Sequence, residues 1–406
     1  MRYLSCIIVL FLTSGLYSQN LDEYLVVAAE SNPGLKASFL SYQAALEEVN
    51  QVGTLPDPEV SFGYFISPVE TRVGPQQARI QISQMFPWFG TLELREQVKT
   101  SVARAEYENF EQARKDLYFK VESSYYECWA LSEVLKIQQA NLELLKSLES
   151  LALVRYETGS SSLVDVLRIQ MDILRAESEI QKVQDDFVQK LAFFNLYLNR
   201  DVHEAVEFRS TLIPGAINLS KEQILDSIQN TSHLLARFEH LKTASHQRVE
   251  LALKQNSPKL GAGISYIAIS ERSDMQVENN GRDALMPMVS MKIPIYRKKN
   301  SSLVKQNTFD VQIIEQKELQ SRNDLESLFE SQWFQYNDAK RIIKLNSDQL
   351  SIATQTRDIL IDSYGSNDSQ FEEILRLQAL ILQLEIANTE AIKQNNTAIS
   401  RIKSIM

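Results

Sequence analysis

The chain has 406 residues, 44% of them hydrophobic, a formal net charge of −10 and two cysteines. Such an acidic chain is not built to hold nucleic acid, which demands clustered Lys and Arg, and with Cys6 in a leader expected to be removed, the single remaining Cys128 excludes an internal disulfide. With no run of roughly 18 apolar residues, no helix is expected to cross a bilayer, which leaves a soluble protein or a β-barrel.

Arg2, the apolar run from Leu4 to Leu12 and the small and polar residues up to Ser18 read as a secretory signal peptide over residues 1–18. The run is too short to span a membrane. Cys6 lies inside it rather than at a cleavage point, so acylation is not expected. Cys128, the other cysteine, reads as a small buried apolar residue on a helix rather than a reactive thiol.

Helices are predicted from about Leu21 to Glu30 and from about Leu35 to Gln51, parted by Asn32-Pro33-Gly34. Between Gly53 and Gly90 the character changes: Pro56, Pro58, Pro68, Pro75 and Pro87 crowd in and the hydrophobic period switches to two. Val60, Phe62, Tyr64 and Ile66 share one face of a strand at about 58–67, and Arg79 to Gln84 alternates again in a strand at about 78–87. The loop between them is expected to hold Pro68, Gly74 and Pro75. From Thr91 to Thr158, and again from Ser160 to Ile213, there is neither Gly nor Pro. A helix from Thr91 to about Arg155, turning at Gly159 into a return helix from about Leu163 to Leu198, follows; at 1.5 Å per residue the first would reach roughly 100 Å. Beyond Ile213-Pro214-Gly215 the same order recurs. One helix is predicted from about Ser220 to Gln255, strands at about 258–268 and 286–296 around a polar loop with Glu271, Asp274, Glu278 and Asp283, and helices from about Ser301 to Ser363 and Gln370 to Lys403.

The recurrence is visible residue by residue. Tyr156, Asp165 and Gln170 correspond to Tyr364, Glu373 and Gln378 at one constant spacing, and Pro58 and Pro87 to Pro258 and Pro294 at nearly the same one. Two repeats explain this: residues 19–213, with a helical hairpin at about 91–199, and residues 214–406, with one at about 300–404. The fold class is therefore mainly α with a small β part. Four strands of roughly ten residues, apolar on one face, have the dyad pattern of transmembrane β-strands, although a small soluble sheet gives the same alternation. Since a barrel in lipid can have no free edge, four strands would need strands from further copies.

These features resemble the TolC family of outer-membrane efflux channels. Leu55-Pro56-Asp57-Pro58 is similar to that family's approach to its first barrel strand, Gln84-Met85-Phe86-Pro87-Trp88-Phe89-Gly90 to the motif ending its second, and Arg155-Tyr156-Glu157-Thr158-Gly159 with Leu163, Asp165, Val166 and Leu167 to the tip between its long helices. The resemblance implies a homotrimer whose twelve strands form a barrel in outer-membrane lipid, continuous with a periplasmic α-barrel. Its partners would be a periplasmic adaptor (membrane fusion protein) and an inner-membrane pump. The Phe86–Gly90 stretch looks most like the metal-efflux branch, whose pumps are of the resistance-nodulation-division type, so heavy-metal cations are the expected cargo. Drug efflux and type I protein secretion are the alternatives.

The adaptor-docking tips implied by position are Arg155, Tyr156, Gly159 and Leu163, and in the second repeat Tyr364, Gly365, Asn367 and Phe371. The second tip departs from the pattern, with Asn367 where the first has Gly159; Asn tolerates the left-handed turn. Asp165 and Glu373 are candidate gate carboxylates, with Arg168 and Arg376 one turn later able to pair with carboxylates; a solvated helix surface is the plain alternative. Trp88 and Phe89 are candidates for a membrane-interface girdle. The histidines have no metal-ligand spacing. Met275, Met286, Met288 and Met291 are either soft donors for a copper(I) cargo or sheet-surface filler. No nucleophile elbow, phosphate loop or carboxylate pair stands out, so neither catalysis nor a cofactor is expected. A periplasmic coiled-coil adaptor, which would have one hairpin rather than two, and a structural helical rod are the more distant readings.

Overall fold

The structure is a computed structural model describing residues 21–208, 212–366 and 371–406; the expected signal peptide and Asn367 lie outside these. The elements run α1 (Leu21–Ser31), α2 (Pro33–Val52), β1 (Glu59–Thr71), β2 (Gly74–Phe86), α3 (Thr91–Glu157), α4 (Leu163–Tyr197), α5 (Lys221–Thr231), α6 (His233–Lys254), β3 (Lys259–Ile269), β4 (Ala284–Lys292), α7 (Arg297–Ser366) and α8 (Phe371–Ile405). The order helix, helix, strand, strand, long helix, return helix thus occurs twice. No described helix is long and apolar enough to cross a membrane.

The chain folds as two compact units, and each takes segments from both sequence repeats. One comprises the described residues of Met1–Lys36, Arg114–Asp226 and Glu326–Met406; the other comprises Ala37–Ala113 and Ser227–Leu325. In the first, Tyr24 and Phe194 meet edge to face with ring centroids 5.2 Å apart, and the Arg200 guanidinium lies over the Tyr24 ring. Cys128 is fully buried, and burial pushes its thiol up to about 12, so it packs as an apolar group. In the second unit Phe39, Tyr42, Tyr107 and Phe110 form an aromatic cluster, and His233 pairs with Glu108 at 2.6 Å.

The second unit also holds the sheet, an antiparallel meander in the order β1-β2-β3-β4. The two hairpins join through β2 and β3, leaving β1 and β4 as open edges.

Several expected boundaries differ. β1 and β2 are longer than 58–67 and 78–87, and Pro68, Gly74 and Pro75 lie in the strands rather than a loop. Pro68 is accommodated because β1 is an edge strand and its register slips between Tyr64 and Val69. β4 stops at Lys292, before Pro294, instead of running to 296. Gly365 lies inside α7 rather than ending it. The single helix expected from Ser220 to Gln255 is two, parted at Ser232, whose backbone is extended (φ −65°, ψ 120°). Here no Pro or Gly marks the break, unlike Asn32-Pro33-Gly34 at the matching place in the first repeat.

Candidate functional site

The first tip is built from local backbone chemistry. At the end of α3 the Ser160 amide donates to the Arg155 carbonyl at 2.8 Å and the Gly159 amide to that of Tyr156 at 3.0 Å. This Schellman pattern needs a left-handed residue, and Gly159 supplies it at φ 73°. The Arg155 guanidinium donates to the Ser160 carbonyl, and the Thr158 hydroxyl to the Arg155 carbonyl. α4 then opens on a capping box: the Val164 amide donates to the Ser162 hydroxyl at 3.1 Å, and the Ser162 amide to the Asp165 carboxylate. Asp165, expected among the gate carboxylates, is therefore engaged in starting its own helix.

Beneath the tip, Leu145, Leu148 and Ala152 of α3, Val166, Ile169 and Ala176 of α4, and Phe371, Ile374 and Leu375 of α8 make one apolar core. It brings the return helices of both repeats together. Phe371, expected on a docking surface, is only 3% exposed and belongs to this core; opening α8 with an aromatic ring anchors it against α3 and α4. Tyr156 and Leu163 do face outward, as do Leu167, Met171 and Leu174 further along α4. Tyr364 and Gly365 lie in the last turns of α7.

The charged residues pair differently from their sequence neighbours. Glu373 and Arg376 hold each other in a bidentate pair at 2.6 and 3.0 Å along α8, and this keeps the Glu373 carboxyl below its ordinary range and the guanidinium above its own. Arg168 instead reaches from α4 to Glu372 on α8 at 3.2 Å, an ion pair between the two repeats. Glu372 was not singled out from the sequence; its position one residue before the counterpart of Asp165 was the available signal. Deeper in the same unit, Gln378 donates to Asn141 at 2.9 Å beside a cavity of about 170 Å³.

In the sheet, opposed residues share a face. The register places Val60 with Ile82 and Ile264, Phe62 with Ile80 and Tyr266, and continues to Leu285, Pro287, Val289 and Met291 in β4. That face is apolar and exposed, Val289 to 87%. The other face carries Ser61, Gly63, Arg79, Gln81, Ser83, Gly263, Ser265 and Ser290, with Met85, Met286 and Met288 among them. Arg79 donates to the Ser265 hydroxyl at 2.8 Å and approaches the Met288 sulfur at 3.7 Å. Met291 lies on the apolar face and Met275 in the exposed loop, so the four methionines considered from the sequence do not form one group. Among the described residues no three His, Cys, Asp or Glu side chains are arranged to hold a metal ion.

Where β2 passes into α3, Gly90 takes φ 70°, and a Cβ there would lie 2.5 Å from the Lys254 ammonium. The open space lets Lys254 donate to the Phe89 carbonyl at 3.1 Å. Trp88 and Phe89 meet edge to face and are both exposed, Phe89 to 78%.

The family model described as outer membrane efflux protein matches residues 25–199. No curated protein matches the chain. Among solved structures, the chain is similar to VceC, an outer membrane protein of Vibrio cholerae, with 13% identity, 95% of each chain covered and a TM-score of 0.77. It is likewise similar to CusC, with 14% identity, 96% of this chain and 95% of that one covered and a TM-score of 0.78. For the open-state MtrE outer membrane channel of Neisseria gonorrhoeae the figures are 13% identity, 95% and 88% covered, and a TM-score of 0.73. Residues 25–199 thus carry the pattern of the outer membrane efflux protein model, and along nearly its whole length the chain has the fold of these outer-membrane channels.

Proposed function

We propose that this chain is the duct subunit of a tripartite efflux system, a homotrimer in which four strands from each copy close a twelve-stranded barrel in the outer membrane and the helices close a periplasmic α-barrel. The observation that carries this is the two-faced sheet with open edges at β1 and β4. An apolar face in register over Leu285 to Met291 covers roughly 20 Å along the strand, enough for the apolar band of such a barrel. Edges cannot stay open in lipid, so other copies must complete the ring. Exposed apolar residues on the helices, Leu163, Leu167, Met171 and Leu174 on α4 and Phe334, Leu345, Ile352 and Ile359 on α7, are surfaces that neighbouring copies would cover.

The tips, with Arg155, Tyr156, Gly159 and Leu163 at the first and Tyr364, Gly365 and the start of α8 at the second, dock a periplasmic adaptor driven by a resistance-nodulation-division pump. The Arg168–Glu372 pair and the Glu373–Arg376 pair hold the aperture at rest. Trp88 and Phe89 sit at the membrane interface, and the two sequence repeats, divided near residue 213, are copies of one hairpin-plus-strand-pair unit. For the cargo we infer heavy-metal cations. The Phe86–Gly90 stretch supports this, as do Met85, Met286 and Met288, soft thioether donors on the polar face that would line the channel.

Growth of a deletion strain on copper, silver, zinc, cobalt and cadmium salts beside dyes, detergents and antibiotics tests the cargo. Selective metal sensitivity is expected; sensitivity to drugs alone would replace the metal reading with drug efflux. Separately, the protein should fractionate with outer membranes as a trimer. Recovery wholly in the soluble periplasmic fraction would sink the duct itself.

A further inference from the structure

Below the sheet, in the unit that contains it, lies a cavity of about 490 Å³ whose charged lining is all of one sign: Arg95 of α3, Lys254 of α6, Lys259 of β3, Lys292 of β4 and Lys299 of α7. No carboxylate lines it. Lys259 and Lys292 are direct register partners across β3 and β4, a like-charge opposition that destabilises a strand pair unless something lies between the charges. Thr91, at the cavity wall, is only 5% exposed, yet its hydroxyl has no hydrogen-bond partner. Two long helices begin here, α3 at Thr91 and α7 at Arg297, and each adds the partial positive charge of its N-terminus. Trp88, Ile295 and Tyr296 supply apolar and aromatic walls.

We propose that this cavity is a binding site for a phosphate-bearing anion, with Lys259, Lys292 and Arg95 meeting its charge, Thr91 donating its hydroxyl proton to a phosphate oxygen, and Trp88 and Tyr296 packing against whatever carries the phosphate. Such an anion relieves the Lys259–Lys292 repulsion and satisfies the buried hydroxyl together. A phospholipid headgroup and a soluble phosphate share this chemistry. The inference rests on the outer-membrane reading, because only a site at the foot of a membrane sheet would meet a headgroup.

The test uses the purified full-length chain in detergent. Native mass spectrometry after incubation with phosphatidylglycerol, with phosphatidylcholine, or with inorganic pyrophosphate reports retained ligand for wild type, for Lys259→Gln/Lys292→Gln and for Thr91→Val. Retention of a phosphate ligand by wild type, weakened about tenfold in the double variant and measurably in Thr91→Val, is expected from the loss of charge-assisted hydrogen bonds. Phosphatidylglycerol held in preference to pyrophosphate identifies the headgroup; pyrophosphate alone identifies a soluble phosphate. Should the double variant fail to assemble, Thr91→Val, which fills the same volume, carries the comparison. Absence of retention by wild type, or equal retention by all three proteins, overturns the proposal. Fractionation of the same proteins separates the two readings: a protein in the outer membrane that holds no phosphate sinks only the site, whereas one found only in the periplasm sinks the duct while the binding result stands.

Discussion

Gly159 shows how one residue can set a tip. Its φ of 73° closes the Schellman turn, and nothing lies within 4 Å of the Cβ it lacks, so backbone conformation alone demands glycine there. Gly159→Ala should therefore destabilise by about 1–2 kcal/mol, the cost of a left-handed alanine, seen as a lowered thermal midpoint with unchanged helix content. Glu122 poses a different question. Burial raises its carboxyl pKa although the Ser400 hydroxyl donates to it. A carboxyl whose folded pKa lies above its unfolded one costs stability when ionised. The cost is absent below the unfolded value, grows as pH rises towards the folded value and is constant above it. Glu122→Gln should thus stabilise the protein near neutral pH, and the advantage should fade as pH falls to about 4, the ordinary Glu range. Thermal melts across that window check it; an advantage independent of pH would place the effect elsewhere.

Among the elements, α4 and α8 matter most at the tip, because their shared core joins the two repeats. Phe371→Ala should cost about 3–5 kcal/mol by leaving a cavity under the tip, measurable as a lower denaturant midpoint. With Arg168 40% and Glu372 79% exposed, their pair adds little to stability, so the proposed gating role is the one to test. In planar bilayers Arg168→Glu should raise the resting conductance, and the swap Arg168→Glu with Glu372→Arg should restore it. Equal conductance in all three proteins would remove the pair from the gate. The tip of the first repeat was legible in the sequence because Gly159 is a local signal, whereas the Ser162–Asp165 cap, equally local, was hidden behind the reading of Asp165 as a gate carboxylate. The cross-helix pair was not legible, since Arg168 and Glu372 are brought together only by packing. The α5–α6 break was hidden because Ser232 carries no Pro or Gly beside it, though the matching Asn32-Pro33 in the first repeat pointed to it.

For the whole molecule, the sheet decides between a soluble and a membrane protein. Val289→Lys puts a charge on the apolar face, where the cost in lipid is about 2–4 kcal/mol near the midplane, and should deplete the protein from outer-membrane fractions. Ser61→Lys, on the opposite face, should insert normally. Equal fractionation of both would mean that the apolar face does not meet lipid.

The long helices, the strand pairs and the twofold order followed from the sequence by itself, because the absence of Gly and Pro and the switch of hydrophobic period are local properties of the chain. Only the tertiary structure decided that the two hairpins form one sheet through β2 and β3, that Phe371 is core rather than surface, and that five cations from separate segments line one cavity without a carboxylate. Each of these depends on pairings between residues far apart in the chain, and local pattern does not encode which distant partner a segment will meet.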